Sequence, residues 1–391
     1  MHADEVVVAE LATYDAEQAS RLPVSSGPPA CATQHHVESP GVRDRTTRGT
    51  EVASRAEQAA MRRAIELARR PGGTLGSNPR VGCVVLTTEG ESVAEGYHRG
   101  PGTAHAEIDA LRQAGGRASG ATVVVTLEPC HHTGRTGPCT RALVDAGVRR
   151  VVYAAADLNP TAAGGAQALT AAGVEVEAGV LADEAAAVNE AWSFAMLHQR
   201  PFVTWKFATT ADGRAAAADG TSRWITGPEA RSDVHLRRAM CDTILVGTGT
   251  VIADNPRLTV RDADGSPLPA GLQPLRAVMG LTGVDSVAAV LDDAAETVLL
   301  STRDPSQALK ELFALDRRHV WLEGGPTLAA AFAAAGLVDE IIAYVAPALL
   351  GAGLNAVADL GIATIDAALR YELRDVTRLG DDVRLVMRGV G

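Results

Sequence analysis

Residues 122–156, TVVVTLEPCHHTGRTGPCTRALVDAGVRRVVYAAA, decide the architecture. TVVVTL and RVVYAAA are short runs rich in β-branched residues, and TRALVDAGV between them has helical spacing with Gly147 near its end. Strand, helix and strand in that order form a crossover unit, the connection that parallel strands require. Outward from it, AEQAAMRRAIELARR (56–70) is amphipathic at helical spacing, VGCVVL (81–86) is a strand and HAEIDALRQAG (105–115) a helix. GVEVEAGV (173–180) adds a strand, and DEAAAVNEAWSFAMLHQ (183–199) reads as one helix leading out of the unit. The expectation is an α/β layer around a largely parallel sheet. A second α/β unit alternates through RPFVTWKF (200–207), TILVGTGTV (243–251), LRAVMGL (275–281), TVLLST (297–302), HVWLEG (319–324) and EIIAYVAPALL (340–350).

The chain of 391 residues is long enough for two cores. Residues 57–199 are expected to form the first domain and 200–391 the second. Residues 1–56 include a stretch rich in Pro, Ser, Gly and charge without apolar periodicity, the composition of a disordered extension. A net charge of −11 argues against nucleic acid or a membrane surface as partner, yet leaves room for a small anionic ligand in a local basic pocket. No apolar run reaches membrane-spanning length, and the acidic start MHADEVVVAELATYDAE lacks the basic region of a signal peptide. Five cysteines, an odd number scattered along the chain, suit a reducing compartment, so a cytoplasmic protein is expected.

Two of those cysteines carry chemistry. Catalytic zinc takes three protein ligands and leaves a position for water, and His105, Cys130 and Cys139 supply three: one opening a helix, one past a strand end, one at the start of a helix. Glu107 stands two residues from the histidine, beside the metal and not on it, where a carboxylate can carry a proton to a leaving amine. H-x-E alone is an ordinary helix cap and first-turn acid. Followed by P-C and a second Cys it is the signature of zinc nucleobase deaminases. Here eight residues, HHTGRTGP (131–138), separate the cysteines where two are usual. Such a loop can reach over the pocket, where its His132 and Arg135 suit a phosphate, although an isolated TGRTG reads more readily as an exposed turn. In the second unit GTGT (247–250) is no dinucleotide fingerprint, and EGGPT (323–327) is either an anion-binding helix start or a plain strand-to-helix turn.

Longer motifs add a family. VGCVV (81–85), GYHRGPGTAHAEIDAL (96–111), the cysteine segment, WITGPEA (224–230), TILVGTGTVIADNPRLTVR (243–261), VWLEGGPTLAAAF (320–332) and VAPALLG (345–351) together resemble the bifunctional deaminase-reductases of riboflavin biosynthesis, from about residue 57 to near the C-terminus. The resemblance implies a cytidine-deaminase-like three-layer domain followed by a dihydrofolate-reductase-like α/β domain. The first would hydrolyse the amine from 2,5-diamino-6-(5-phosphoribosylamino)pyrimidin-4-one, and the second would use NADPH to reduce the ribosyl group to ribityl. It places His105, Cys130 and Cys139 on the Zn2+ ligands, Glu107 on the proton carrier, and Asn78, His98, His132 and Arg135 on the deaminase substrate. Lys206, Ala208, Trp224, Thr250, Asp254, Gly325, Pro326, Thr327 and Leu328 fall on the cofactor side of the reductase, and Ser222, Arg238, Leu258, Arg261 and Glu323 on its substrate side. A homo-oligomer acting on a small phosphoribosyl pyrimidine is the implied assembly. Two departures stand out: DLNPTAAGGA (157–166) lacks the arginine usual in that loop, and Gly280 stands where relatives often carry Asp. A second reading keeps the deaminase and makes the C-terminal domain a non-reducing binder of phosphorylated ligands. A third makes both domains a non-catalytic zinc-stabilised scaffold.

Overall fold

The computed structural model describes residues 53–70, 78–132, 137–160, 162–262 and 264–389. Arg135 and nearly all of the expected extension lie outside the described residues. Helix α1 (Arg55–Arg69) opens with a capping box: the Glu57 N–H donates to the Ser54 hydroxyl (3.2 Å) and the Ser54 N–H donates to the Glu57 carboxylate (2.7 Å). Its first two residues therefore precede the boundary drawn at 57. Its apolar stripe, Met61, Ala64, Ile65 and Leu67, packs with Val84 and Leu86 of strand β1 (Gly82–Leu86). A Cβ at Gly82 would fall 1.9 Å from the Ala64 carbonyl oxygen, so the helix lies this close only over glycine.

The first sheet runs β2 (Ser92–Tyr97), β1, β3 (Thr122–Leu127), β4 (Arg150–Ala155), β5 (Glu175–Ala178). β3, β4 and β5 are parallel, as the crossover pattern requires. β1, however, is antiparallel to both β2 and β3, which corrects the expectation of a largely parallel sheet. The turn between β1 and β2 closes at once, with the Gly90 N–H donating to the Thr87 carbonyl (3.0 Å), and so short a connection can only reverse the chain. β2 and β3 then run the same way, linked across β1 by helix α2 (Ala106–Ala114).

Helices α3 (Cys139–Asp145) and α4 (Gly165–Ala171) make the next two crossovers. The single helix expected over 183–199 is instead two, α5 (Ala182–Val188) and α6 (Glu190–His198). Asn189 breaks it because its side chain is engaged elsewhere: it accepts from the Arg80 N–H (2.7 Å) and donates to the Arg80 carbonyl (2.8 Å). It pairs with that backbone as a strand neighbour would.

The second sheet is built on β6 (Phe202–Thr210), while β7 (Arg214–Ala216) leaves it to pair with a later strand. After α7 (Pro228–Arg238), β8 (Thr243–Gly247) and α8 (Thr248–Asp254) come β9 (Leu275–Met279), β10 (Thr297–Leu300), α9 (Pro305–Ala314), β11 (His319–Leu322), α10 (Pro326–Ala334) and β12 (Glu340–Ala346). Six strands are parallel in the order β10-β9-β8-β11-β6-β12. After β13 (Leu354–Asn355), the partner of β7, the chain adds an unforeseen antiparallel hairpin, β14 (Tyr371–Leu379) and β15 (Asp382–Gly389), with β15 on β12 and β14 outermost. Separate cores lie on the two faces, one around Phe332, Leu322 and Leu309, the other around Trp321, Ile244 and Val278. Among the described residues no helix is long and apolar enough to cross a membrane.

Candidate active sites

His105 is the N-cap of α2, held over β2 because a Cβ at Gly96 would strike the Ala106 carbonyl oxygen at 2.3 Å; glycine there lets the helix settle. Cys130 lies three residues past the end of β3, and Cys139 is the first residue of α3. These three elements bring the donor atoms together: His105 Nδ1 is 3.2 Å from Cys139 Sγ and 3.6 Å from Cys130 Sγ, and all three lie within 4.8 Å of one another. The Cys139 N–H also points at Cys130 Sγ (3.4 Å). Hydrogen bonds from the Cys139 thiol, His105 and that amide pull Cys130 well below the usual thiol range, so the pair carries a thiolate.

Glu107, the second residue of α2 and 4 % exposed, faces the same cavity of about 300 Å³ as His105 and Cys130. Burial first, then the charge of Cys130, push its carboxyl up to about 6, so it can take up and release a proton near neutral pH. Asn78 donates to His98 Nε2 (2.8 Å), and His98 Nδ1 donates to the Ala104 carbonyl (3.1 Å), which orients the ring. Burial keeps that ring below the ordinary imidazole range and therefore neutral. Asn78, His98 and His132 all line the cavity.

In the second unit the Arg238 guanidinium, at the end of α7, grips the Glu323 carboxylate after β11 through Nε (2.6 Å) and a second, shorter contact, and also donates to the Thr259 carbonyl (3.2 Å). The Trp321 indole N–H donates to the same carboxylate. Burial raises the Glu323 pKa, but Arg238 and Lys206 outweigh it and hold the group at about 2. Thr250 Oγ1 of α8 accepts from the Gly325 N–H (3.3 Å) at the N-cap of α10, joining two of the positions assigned to the cofactor side. A Cβ at Gly324 would meet Leu328 at 2.5 Å, so the Gly-Gly pair has a packing reason as well. Trp224 is 70 % exposed with Arg231 over its ring, and Arg223 beside it donates to the Asp254 carbonyl (3.4 Å). Leu258 is buried in a left-handed conformation, Ala208 and Pro326 are half-buried, and Ser222 and Thr327 are exposed. Arg261 donates to Gly265 in its own loop (2.7 Å).

The family model for the cytidine and deoxycytidylate deaminase zinc-binding region matches residues 54–155, and that for the RibD C-terminal domain matches 201–385. The riboflavin biosynthesis protein RibD of Mycobacterium tuberculosis is 50% identical over 328 residues, covering 83% of this chain and 95% of that one. The chain belongs to the RibD family. A solved structure of Acinetobacter baumannii RibD superposes with a TM-score of 0.80 at 39% identity over 86% of this chain and 99% of that one. A Thermotoga maritima structure titled as a diaminohydroxyphosphoribosylaminopyrimidine deaminase/5-amino-6-(5-phosphoribosylamino)uracil reductase does so at 0.78 and 31%, with the same coverage. As a RibD-family protein the chain is a bifunctional enzyme of riboflavin biosynthesis, with a cytidine-deaminase-like zinc-binding domain and a dihydrofolate-reductase-like domain. That outcome favours the two-enzyme reading over a deaminase with a non-reducing C-terminal binder.

The RibD fold also exposes residues that sequence reasoning passed over. Asp157 and Asn159 line the first cavity from the loop after β4, and Glu128 ties that loop down by accepting from the Asp157 N–H (3.4 Å) and, where α4 begins, from the Ala166 N–H (2.9 Å). An Asp-x-Asn at the carboxyl end of a parallel strand was the available signal. Gly280 has φ +152, and a Cβ there would lie 2.5 Å from Thr248 Oγ1. Thr248 therefore crowds that turn, and glycine leaves it room.

Proposed function

We propose that the first domain, residues 57–199, deaminates the phosphoribosyl diaminopyrimidine and the second, 200–391, reduces the resulting phosphoribosylaminouracil to the ribityl product, in the cytoplasm. The observation that carries this reading is the convergence of His105, Cys130 and Cys139, with Glu107 on the same cavity wall. Two sulfurs and one imidazole nitrogen in a buried cluster suit zinc, and three protein donors leave a coordination position for the reactants. Zinc, when bound, supplies a water acidic enough to attack as a nucleophile at neutral pH. Glu107 takes the proton of the attacking water on its carboxylate and delivers it to the departing amine as ammonia forms. Asn78 and the neutral His98 orient the pyrimidine, and His132 and Arg135 hold its phosphate.

In the reductase, NADPH supplies the hydride. Lys206, Ala208, Trp224, Thr250, Asp254 and the segment Gly325–Leu328 would hold it, and the free N–H groups at the start of α10 would suit its pyrophosphate. Ser222, Arg238, Leu258, Arg261 and Glu323 hold the phosphoribosyl substrate. The assembly is a homo-oligomer with no nucleic-acid or membrane partner.

The test pairs metal analysis with two assays. Wild-type protein should contain about one zinc per chain, release ammonia from the diaminopyrimidine, and oxidise NADPH when given the deaminated intermediate. Glu107→Gln should retain the metal and lose ammonia release by at least about a hundredfold. Ammonia release that survives in Glu107→Gln would sink the assignment of Glu107. Absence of NADPH oxidation in wild-type protein would sink that of the cofactor.

A further inference from the structure

His235 lies on α7 three residues before Arg238, so the two side chains share one helix face a turn apart. Arg238 is the residue that grips Glu323. The charges of Arg238, Glu323, Arg261 and Lys206 all bear on the His235 ring, so a histidine that no motif singled out lies within the field of charged residues assigned to the reductase site. The ring nevertheless has no hydrogen bond to the protein at Nδ1, which is closed off from solvent, while the residue as a whole is only half-buried. A shut-in nitrogen without a partner is better left bare than protonated, since an orphaned buried N–H is the rarer and costlier defect. The single ring proton then sits on Nε2. Burial and the surrounding cations keep the imidazole neutral, pulling it down to about 4. Of the four charged groups whose field reaches the ring, three are cations and one is a carboxylate, an excess of positive charge that the roughly two negative charges of a phosphate monoester would balance.

From this arrangement we propose that His235 is a substrate-binding residue of the reductase, donating from Nε2 to the phosphoryl group of the phosphoribosyl substrate beside Arg238 and Arg261. The proposal rests on the reductase reading, and the experiment separates the two. In the full-length protein, His235→Leu removes the donor together with the unbonded nitrogen, and His235→Gln restores an N–H donor of similar reach. With the deaminated intermediate, His235→Leu should raise its KM about tenfold or more, as expected for a lost hydrogen bond to a charged group. The KM for NADPH and ammonia release by the first domain should be unchanged, and His235→Gln should recover most of the loss. With the dephosphorylated intermediate, wild type and His235→Leu should be equal.

Inorganic phosphate supplies a readout independent of turnover. It should raise the thermal midpoint of the wild-type protein and not that of His235→Leu, whose ligand-free midpoint should equal or exceed wild type. Failure of wild-type protein to reduce the intermediate would overturn the reductase reading alone, and the phosphate measurement would then decide the proposal. A wild-type KM in His235→Leu, an equal loss on the dephosphorylated substrate, or phosphate stabilisation that survives the substitution would overturn the proposal itself.

Discussion

Glu323 is a carboxylate deep in the protein that stays ionised only because Arg238 and Lys206 face it. Its folded value of about 2 lies below the 4.5 of an unperturbed glutamate, so it contributes stability that is fully present above pH 4.5 and is lost as pH falls toward 2. The size is on the order of 3 kcal/mol. Glu323→Gln should therefore flatten the acid limb of a stability–pH curve between about pH 5 and 2, measured by denaturant unfolding at each pH; a limb as steep as wild type would refute the assignment. Removing only one partner also strands a buried charge, so Arg238→Met should cost about 3–5 kcal/mol at pH 7, more than the double variant Arg238→Met/Glu323→Gln. Gly280 poses a steric question at the same scale. Gly280→Asp should lower the thermal midpoint, and Thr248→Ala in the same chain should recover part of it, because the Thr248 side chain is in the way. If Thr248→Ala gives no relief, the strain lies in the backbone angle alone.

Asn189 shows how one side chain decides an element. By satisfying both polar groups of Arg80 it splits a run with helical spacing and pins the segment two residues beyond Asn78, which lines the deaminase cavity. Asn189→Ala should cost about 2 kcal/mol for the two lost bonds. It should also raise the KM for the diaminopyrimidine while leaving NADPH oxidation on the supplied intermediate intact, and equal effects on both activities would mean that the residue only stabilises the fold. The elements that were legible in the sequence carry period and ligand spacing together: the crossover from β3 to β4 and the cluster of His105, Cys130 and Cys139. The break at Asn189 was invisible because it depends on a contact with a residue 109 positions away. The reversed β1 was hidden because a strand buried on both faces, as β1 is throughout, reads the same in either direction. The hairpin β14–β15 went unseen for the opposite reason: its outer strand is mostly exposed, with Arg, Asp and Glu between the apolar residues, and period alone distinguishes such a strand poorly from a loop. His235 escaped since nothing local marks it, and its meaning comes only from α7, β6 and β11 meeting.

For the whole molecule, the same hairpin leaves an edge. β14 is nine residues long, closes the larger sheet on one side, and exposes Leu373 and Val376 at more than half their surface. Leu349 and Ile365, on the segments that lead into it, are each 77% exposed. A long edge strand with unpaired backbone groups and exposed apolar residues is a template for a second chain unless something covers it. The proposed homo-oligomer would cover it, and β15, paired on both sides, would transmit the contact to β12 and to β6, which carries Lys206. Leu373→Lys/Val376→Lys places two charges on that edge without touching either cluster of site residues. Light scattering should give an oligomeric mass for wild type and the mass of one chain for the double variant. The thermal midpoint of wild type should rise with protein concentration, while that of the variant should not, because association stabilises by mass action. Loss of NADPH oxidation in the variant with ammonia release retained would follow from weakened support of β12 and β6; an unchanged mass would remove this edge as the interface.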